Sequence, residues 1–229
     1  RINLPMSEQL AASLSYNHTQ RDGYVDSLYS GKDLGAFESD AARLALRWLP
    51  SESFTADYAF DWSRRRSNTA TSQMVQVRPT QIGLGGRFYQ QLAAVSSPER
   101  MQALPLVEDR DGEHSSDASG HALTMEWRPA ADLTVKSITS FRTWEEDEPG
   151  NSFGDIFVEA NTVLNGASGT YIPAGTRVAN FYSTRKDKQE QWSEELQLLG
   201  SAFENRLTYT LGAYYFTEEG REFNPSMYV

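Results

Sequence analysis

Apolar and polar residues alternate along three pairs of segments, and a short polar turn joins the two members of each pair. A side-chain period of two is that of a β-strand, in which successive residues face opposite sides of the sheet. We therefore predict three β-hairpins, over about 42–64, 121–144 and 189–217. Long polar stretches over about 65–120 and 145–188 separate these hairpins.

Part of a fourth hairpin precedes the other three. Residues 1–4 are strand-like, residues 5–9 have the composition of a turn, and residues 10–17 again alternate between larger apolar and smaller or polar side chains. The complete pattern predicts about seven full strands, preceded by one partial strand.

A helix start signal occurs within the stretch 65–120. Ser97 has the side chain of an N-cap, Pro98 suits the first turn of a helix, and Glu99 follows it. We predict one short helix over 97–104, ended near Pro105.

Charged and large apolar residues of the first predicted hairpin fall on opposite faces. Short turns at one end and long loops at the other are typical of transmembrane β-barrels, in which alternate side chains face lipid and a water-filled lumen. The pattern predicts an all-β fold: an antiparallel transmembrane β-barrel segment with short periplasmic turns and long extracellular loops. The predicted lipid face carries Leu44, Leu46, Trp48, Ala56, Tyr58, Phe60 and Trp62, and the predicted lumen face carries Arg43, Arg47, Thr55, Asp57 and Asp61.

Composition agrees with this interpretation and excludes several others. A mean hydropathy of −0.57 suits barrel strands, because only every second residue has to be apolar. No stretch approaches about 18 consecutive apolar residues, which excludes transmembrane helices. The absence of cysteine excludes disulfides, a thiol nucleophile and cysteine-based metal sites. The net charge of −10 disfavours nucleic acid as a partner.

Six segments of the chain carry a resemblance to a known family: Arg21–Val25, Gly31–Gly35, Ala42–Trp48, Ala56–Asp61, Leu133–Phe141 and Trp192–Leu198. They resemble the barrel portion of TonB-dependent outer-membrane receptors. The resemblance implies a barrel of about 22 strands, filled by an N-terminal plug, that takes up scarce ligands such as ferric siderophores, cobalamin or oligosaccharides. Energy in that family comes from the inner-membrane TonB complex, which pulls on a segment before the plug.

From this resemblance we expect residues 1–229 to form one partial receptor barrel domain in the bacterial outer membrane, without the plug and the remaining strands. The expected partners are outer-membrane lipid, lipopolysaccharide, a small-molecule ligand such as a ferric siderophore, and the TonB complex through an N-terminal region that this chain lacks. Binding and passage involve no covalent chemistry, so we expect neither an enzyme nor a cofactor.

Candidate ligand-binding residues are the aromatic residues of the predicted outer loops and an arginine triplet. Loops on a rigid barrel carry recognition, and guanidinium groups make bidentate contacts to phosphates or to an anionic ferric complex. The three histidines are far apart in sequence, so we expect no metal site, and we expect the acidic run 145–148 to be solvated where a strand enters a loop. The candidates are Tyr24, Tyr29, Arg64, Arg65, Arg66, Tyr89, Phe153, Tyr171, Phe181 and Tyr182.

Two other functions fit parts of the pattern. The first is a complete small barrel of about eight strands with a structural or adhesive role, which requires the first and last strands to pair. The second is a soluble carbohydrate-binding β-sandwich, which requires polar outer faces, since soluble monomers rarely expose large apolar bands.

Overall fold

The computed structural model describes residues 1–27, 31, 33–68, 75–76, 96–100, 103–104, 113–151, 155–157, 162–163, 171–175, 177–179 and 181–228. Its strands are β1 (Ile2–Pro5), β2 (Leu10–Arg21), β3 (Val25–Ser27), β4 (Asp33–Leu34), β5 (Phe37–Ser51), β6 (Phe54–Ser67), β7 (Ala103–Leu104), β8 (His114–Ala130), β9 (Leu133–Asn151), β10 (Asp155–Phe157), β11 (Thr162–Val163), β12 (Tyr171–Ile172), β13 (Arg177–Ala179), β14 (Phe181–Ala202), β15 (Leu207–Phe223) and β16 (Ser226–Tyr228).

The main sheet confirms the predicted antiparallel all-β fold and the predicted set of one partial and seven full strands. Its strand order is β1-β2-β5-β6-β8-β9-β14-β15, and β16 adds to β14. Neighbouring strands are antiparallel throughout. Among the described residues β1 and β15 do not pair, so this chain forms an open sheet and not the closed barrel of the structural or adhesive alternative.

The hairpin turns of β1–β2, β5–β6, β8–β9 and β14–β15 lie at one end of the main sheet, which we call the turn end, and the long connections lie at the other, the loop end. The turns between β5 and β6 and between β8 and β9 each follow a register shift close to the turn, at Trp48/Ser51 and Trp127/Ala130. In the turn between β14 and β15, Phe203, Glu204 and Asn205 have φ of 54°, 54° and 67°. Three consecutive left-handed residues tighten this connection.

The strands extend further toward the loop end than the alternation predicts. Strand β9 continues to Asn151, so the acidic run 145–148 lies within a strand and pairs with β14 instead of entering a loop. Cross-strand ion pairs account for the extension: Lys186 Nζ lies 2.5 Å from Asp147 Oδ2, and Lys188 Nζ lies 2.6 Å from Glu145 Oε1. Opposite charges on facing residues stabilise the strand pair.

The prediction of a helix over 97–104 is wrong. Residues 96–100 are not helical, and Ala103–Leu104 forms β7, which pairs in parallel with β3. A segment this short cannot sustain a helix from local signals alone, and here its backbone bonds to a neighbouring strand. No helix in the described part of the chain is long and apolar enough to cross a membrane.

One face of the main sheet, the apolar face, exposes large apolar side chains. Trp48 is 48% and Leu211 62% exposed, while Val25 and Leu34 are the only buried hydrophobic residues among those described. A β-sandwich would bury one face of each sheet in a shared core, so the exposed band contradicts the soluble alternative. One register row across the apolar face contains Leu14, Leu44, Phe60, His121, Phe141 and Trp192.

The opposite face, the charged face, carries ion pairs between neighbouring strands. Arg47 makes two hydrogen bonds to Asp57, of 2.7 and 3.0 Å. Asp61 lies 3.8 Å from Arg43 and 3.4 Å from Arg142, and a Cβ at Gly120 would be only 3.2 Å from its Oδ1. The small residue at position 120 therefore leaves room for a carboxylate shared by two arginines.

The apolar face is interrupted at one position on β14. The carboxylate of Glu194 accepts hydrogen bonds of 2.7 Å from the Ser137 hydroxyl and 2.5 Å from the Thr139 hydroxyl of β9. Buried or partly buried carboxylates need such donors. Both hydroxyls come from the strand beside β14. Their hydrogen bonds offset part of the free-energy cost of placing a charged carboxylate on the apolar face.

Gly200 on β14 leaves room for the ring of Tyr209 on β15. A Cβ there would lie 2.5 Å from Tyr209 Cζ and 3.0 Å from the Asp132 carbonyl oxygen. We expect Gly200→Ala to lower the free energy of unfolding by about 1–3 kcal/mol through overpacking. Gly220→Ala is the control, because a Cβ there meets nothing within 4 Å. Equal urea-unfolding free energies for the two variants would contradict this prediction.

Candidate functional site

Arginine and aromatic side chains converge at the loop end of β2, β5 and β6. The guanidinium of Arg21, the last residue of β2, lies 4.8 Å from the ring centroid of Phe37 and 5.2 Å from that of Tyr24. Phe37 is the first residue of β5 and pairs directly with Arg21. The strand register thus places a cation between two aromatic rings, a favourable cation–π arrangement.

Two further arginines contact the same rings. The guanidinium of Arg65 on β6 lies 5.7 Å from the Phe37 ring, and that of Arg100 lies 6.0 Å from the Tyr24 ring. Arg100 precedes β7, which pairs with β3, so segments from two long connections meet here. We call Arg21, Tyr24, Phe37, Arg65 and Arg100 the arginine–aromatic cluster.

The short hairpin formed by β3 and β4 holds Tyr24 in this cluster. The Tyr24 N–H donates to the Leu34 carbonyl over 2.9 Å, and Arg21 donates to the Gly35 carbonyl over 2.9 Å. Leu34 is 1% exposed and packs in the small buried centre of this loop. Gly35 has φ of +85°, and a Cβ there would lie 2.9 Å from two atoms of the Tyr24 ring. Only glycine fits this position without moving the ring.

The three guanidiniums of the cluster lack carboxylate partners within the described part of the chain, although acidic residues outnumber basic ones by 31 to 21. Most other arginines of the sheet do pair with acids, as Arg47 does with Asp57. A guanidinium stacked on a ring keeps its N–H edge available for a carboxylate or phosphate. The cluster can therefore bind an anion, and its rings can contact a planar group.

A second polar cluster lies along the same face. Arg65 and Glu146 belong to one register row, and His114 Nε2 lies 2.7 Å from Glu146 Oε1. Arg185 lies 3.2 Å from Glu146 and 2.7 Å from Asp187 Oδ2. Asp187 Oδ1 has no hydrogen-bond donor among the described residues.

The structure divides the candidate residues predicted from sequence. Tyr24 and Arg65 lie in the arginine–aromatic cluster. Strand alternation directs Arg64 and Arg66 to the opposite face, where Arg64 Nε lies 2.6 Å from Asp117 and Arg66 Nε lies 3.2 Å from Glu113. Tyr29, Tyr89 and Phe153 lie outside the described residues, as do the side chains of Tyr171, Phe181 and Tyr182.

Sequence reasoning missed Arg21, Phe37 and Arg100 as site residues. Arg21 and Phe37 are far apart along the chain and become neighbours only through the register of β2 and β5. The sequence signal available was the Arg-Asp-Gly-Tyr segment at 21–24, which places an arginine and a tyrosine beside a glycine turn at a strand end.

One solved structure shows the same fold, and a second is similar at a lower level. The ferric yersiniabactin uptake receptor FyuA from Yersinia pestis matches 99% of this chain with a TM-score of 0.63 at 12% sequence identity. The outer membrane transporter YddB from Escherichia coli matches 98% of it with a TM-score of 0.41 at 12% identity. The chain spans 29% of the FyuA chain and 33% of the YddB chain.

No protein-family model matches the chain, and no curated protein sequence matches it significantly. The likeness to FyuA therefore concerns the fold. Together with the open antiparallel sheet and its two contrasting faces, it shows that this chain shares the fold of the matching part of FyuA.

Gly35→Ala tests whether the loop geometry holds Tyr24 in the cluster. The added Cβ collides with the Tyr24 ring, so we expect the Tyr24 amide to exchange its hydrogen about tenfold faster or more, because overpacking costs about 1–3 kcal/mol. Gly31→Ala is the matched control: Gly31 also has positive φ, of +68°, but a Cβ there meets nothing within 4 Å. Equal exchange rates in the two variants would show that the ring contact is unimportant.

Proposed function

We propose that this chain is part of the barrel wall of a TonB-dependent outer-membrane receptor that takes up a scarce anionic ligand such as a ferric siderophore. The observation that carries the proposal is the arginine–aromatic cluster at the loop end of an open antiparallel sheet, whose guanidiniums have no carboxylate partner among the described residues. The chain binds the ligand and forms part of the wall along which the ligand passes, and it carries out no covalent chemistry.

The two faces of the sheet support a position in the outer membrane. The exposed band containing Trp48 and Leu211 suits lipid, with lipopolysaccharide beyond it, whereas the paired charges of Arg47 and Asp57 suit a water-filled lumen. The turn end then faces the periplasm. The loop end, with the arginine–aromatic cluster, faces the outside, where ligand first arrives.

The chemistry of the cluster supports the ligand class. Ferric siderophores are commonly anionic and carry planar catecholate, phenolate or carboxylate groups, and such groups match guanidinium edges and aromatic faces. The solved relative FyuA is a ferric yersiniabactin uptake receptor, which favours an iron complex over cobalamin or an oligosaccharide. After binding, the ligand passes along the lumen once a plug rearranges, driven by the TonB complex through a region N-terminal to the barrel.

Replacing the cluster arginines tests the ligand class. We expect Arg21→Gln combined with Arg65→Gln to weaken binding of an iron-loaded siderophore about tenfold or more, since each charged hydrogen bond contributes about 1.5–3 kcal/mol. Uptake of radioactive iron by cells that carry the complete receptor, across a panel of catecholate, phenolate and carboxylate siderophores, measures this. Arg206→Gln, which removes one positive charge at the turn end, serves as the control for each single arginine substitution. Equal uptake by all variants for every siderophore would refute the proposed ligand class.

Placing one charge on each face tests the membrane orientation. Leu123 on β8 faces Tyr58 on the apolar face, and the next residue, Thr124, faces Asp57 on the charged face. We expect Leu123→Arg to lower the free energy of unfolding from lipid vesicles by about 2–4 kcal/mol and Thr124→Arg to change it little. Equal losses for the two variants would contradict a lipid-facing apolar surface.

A further inference from the structure

Charged side chains form one register row on the apolar face, just beyond the apolar band toward the loop end. The row contains ion-paired neighbours, such as Arg64 with Asp117 at 2.6 Å and Lys188 with Glu145 at 2.6 Å. The complete row is His18, Asp40, Arg64, Asp117, Glu145, Lys188 and Arg221.

At the β2 end of this row, His18, Glu38 and Asp40 bring three metal-ligating groups together. One ligand atom from each residue lies within 4.8 Å of the other two. His18 faces Asp40 across the β2–β5 pair, with Nδ1 2.8 Å from Asp40 Oδ1. Glu38 is two residues before Asp40 on β5 and therefore points to the same face.

The hydrogen bonds and charges around His18, Glu38 and Asp40 favour binding of a cation. The Tyr16 hydroxyl donates to Asp40 and holds its carboxylate in place. Glu38 has no hydrogen bond or ion pair among the described residues, because Arg66, which faces it across β6, pairs with Glu113. Two carboxylates and an imidazole thus share one small volume, and no arginine of the described residues forms an ion pair with either carboxylate.

We propose that His18, Glu38 and Asp40 bind a divalent first-row transition-metal ion, with zinc as the expected ion. An imidazole nitrogen with two carboxylate oxygens suits zinc, whereas calcium and magnesium prefer ligand sets made of oxygen alone. Zinc bonds of about 2.0–2.1 Å place tetrahedral ligand atoms roughly 3.3 Å apart. Small side-chain rotations reach that spacing, because the strand pair already sets the positions of the three residues.

The bound ion links β2 to β5 beside the first long connection, on the face opposite to the arginine–aromatic cluster. The role of the ion is structural. The site depends only on the positions of its three residues and not on which ligand the receptor takes up. Sequence spacing alone predicts no metal site, because the closest histidine to His18 is far along the chain. The ligands beside His18 come instead from the facing strand.

Zinc titration of the complete, chelator-stripped protein in lipid nanodiscs tests the site. We expect isothermal titration calorimetry to show one zinc ion bound per chain, and cobalt substituted for zinc to give a visible absorption spectrum of mixed nitrogen and oxygen ligands. Glu38→Gln is nearly isosteric and removes a carboxylate that makes no hydrogen bond or ion pair among the described residues, so we expect folding to be unaffected. Zinc affinity should fall at least about tenfold, since even the loss of a group hydrogen-bonded to a ligand costs 10- to 100-fold.

His18→Ala should abolish both the zinc heat and the cobalt spectrum. His114→Ala and Glu222→Gln are matched controls, a histidine and an acid at the loop end that lie outside the group, and both should bind zinc as the unchanged protein does. The proposal is overturned if the unchanged protein binds no stoichiometric zinc, or if Glu38→Gln and His18→Ala bind it with unaltered affinity. Siderophore uptake by these variants is a separate measurement, so either proposal can fail without the other.

Discussion

The structure depends on one constraint: the main sheet keeps an unbroken antiparallel register from β2 to β15. A slip of one residue between two strands would move every side chain of the shifted strand to the other face. The register shifts that do occur, at Trp48/Ser51 and Trp127/Ala130, lie beside the hairpin turns, where they leave the rest of each pair in phase. Seven strands consequently place most of their large apolar residues on the same face of the sheet and most of their charged residues on the other.

That agreement also determines where charge is compensated. Within the sheet most arginines face an acid on the neighbouring strand, as Arg64 faces Asp117, and each exposed pair contributes little free energy by itself. Charge on the sheet is therefore compensated mostly pair by pair. Against that background Arg21, Arg65 and Arg100 differ, because among the described residues aromatic rings, and no carboxylates, contact their guanidiniums. Positive charge without a carboxylate partner in the described part of an acidic chain is a reason to look for an anion at that place.

The long connections do more than join strands. Between β2 and β5 the chain forms a short hairpin with its own buried centre at Val25 and Leu34, and β7 from a later connection adds to it. This packing gives Tyr24 a defined position above the sheet, and the positive φ of Gly35 permits it. A recognition surface made from loops becomes specific when a rigid sheet supports it and the loops pack on one another.

The sequence by itself determined the hairpins, the number of main strands and the separation of apolar from charged residues, because a period of two and a short polar turn are local properties. Only the tertiary structure decided where strands ended, since polar residues such as Glu145 continue a strand when a partner strand offers Lys188. It also decided that Ala103–Leu104 forms a strand, and that the arginine triplet at 64–66 is divided between two faces. The arginine–aromatic cluster and the group around His18 share this origin: each joins residues distant along the chain, and cross-strand register, not sequence spacing, brings them together.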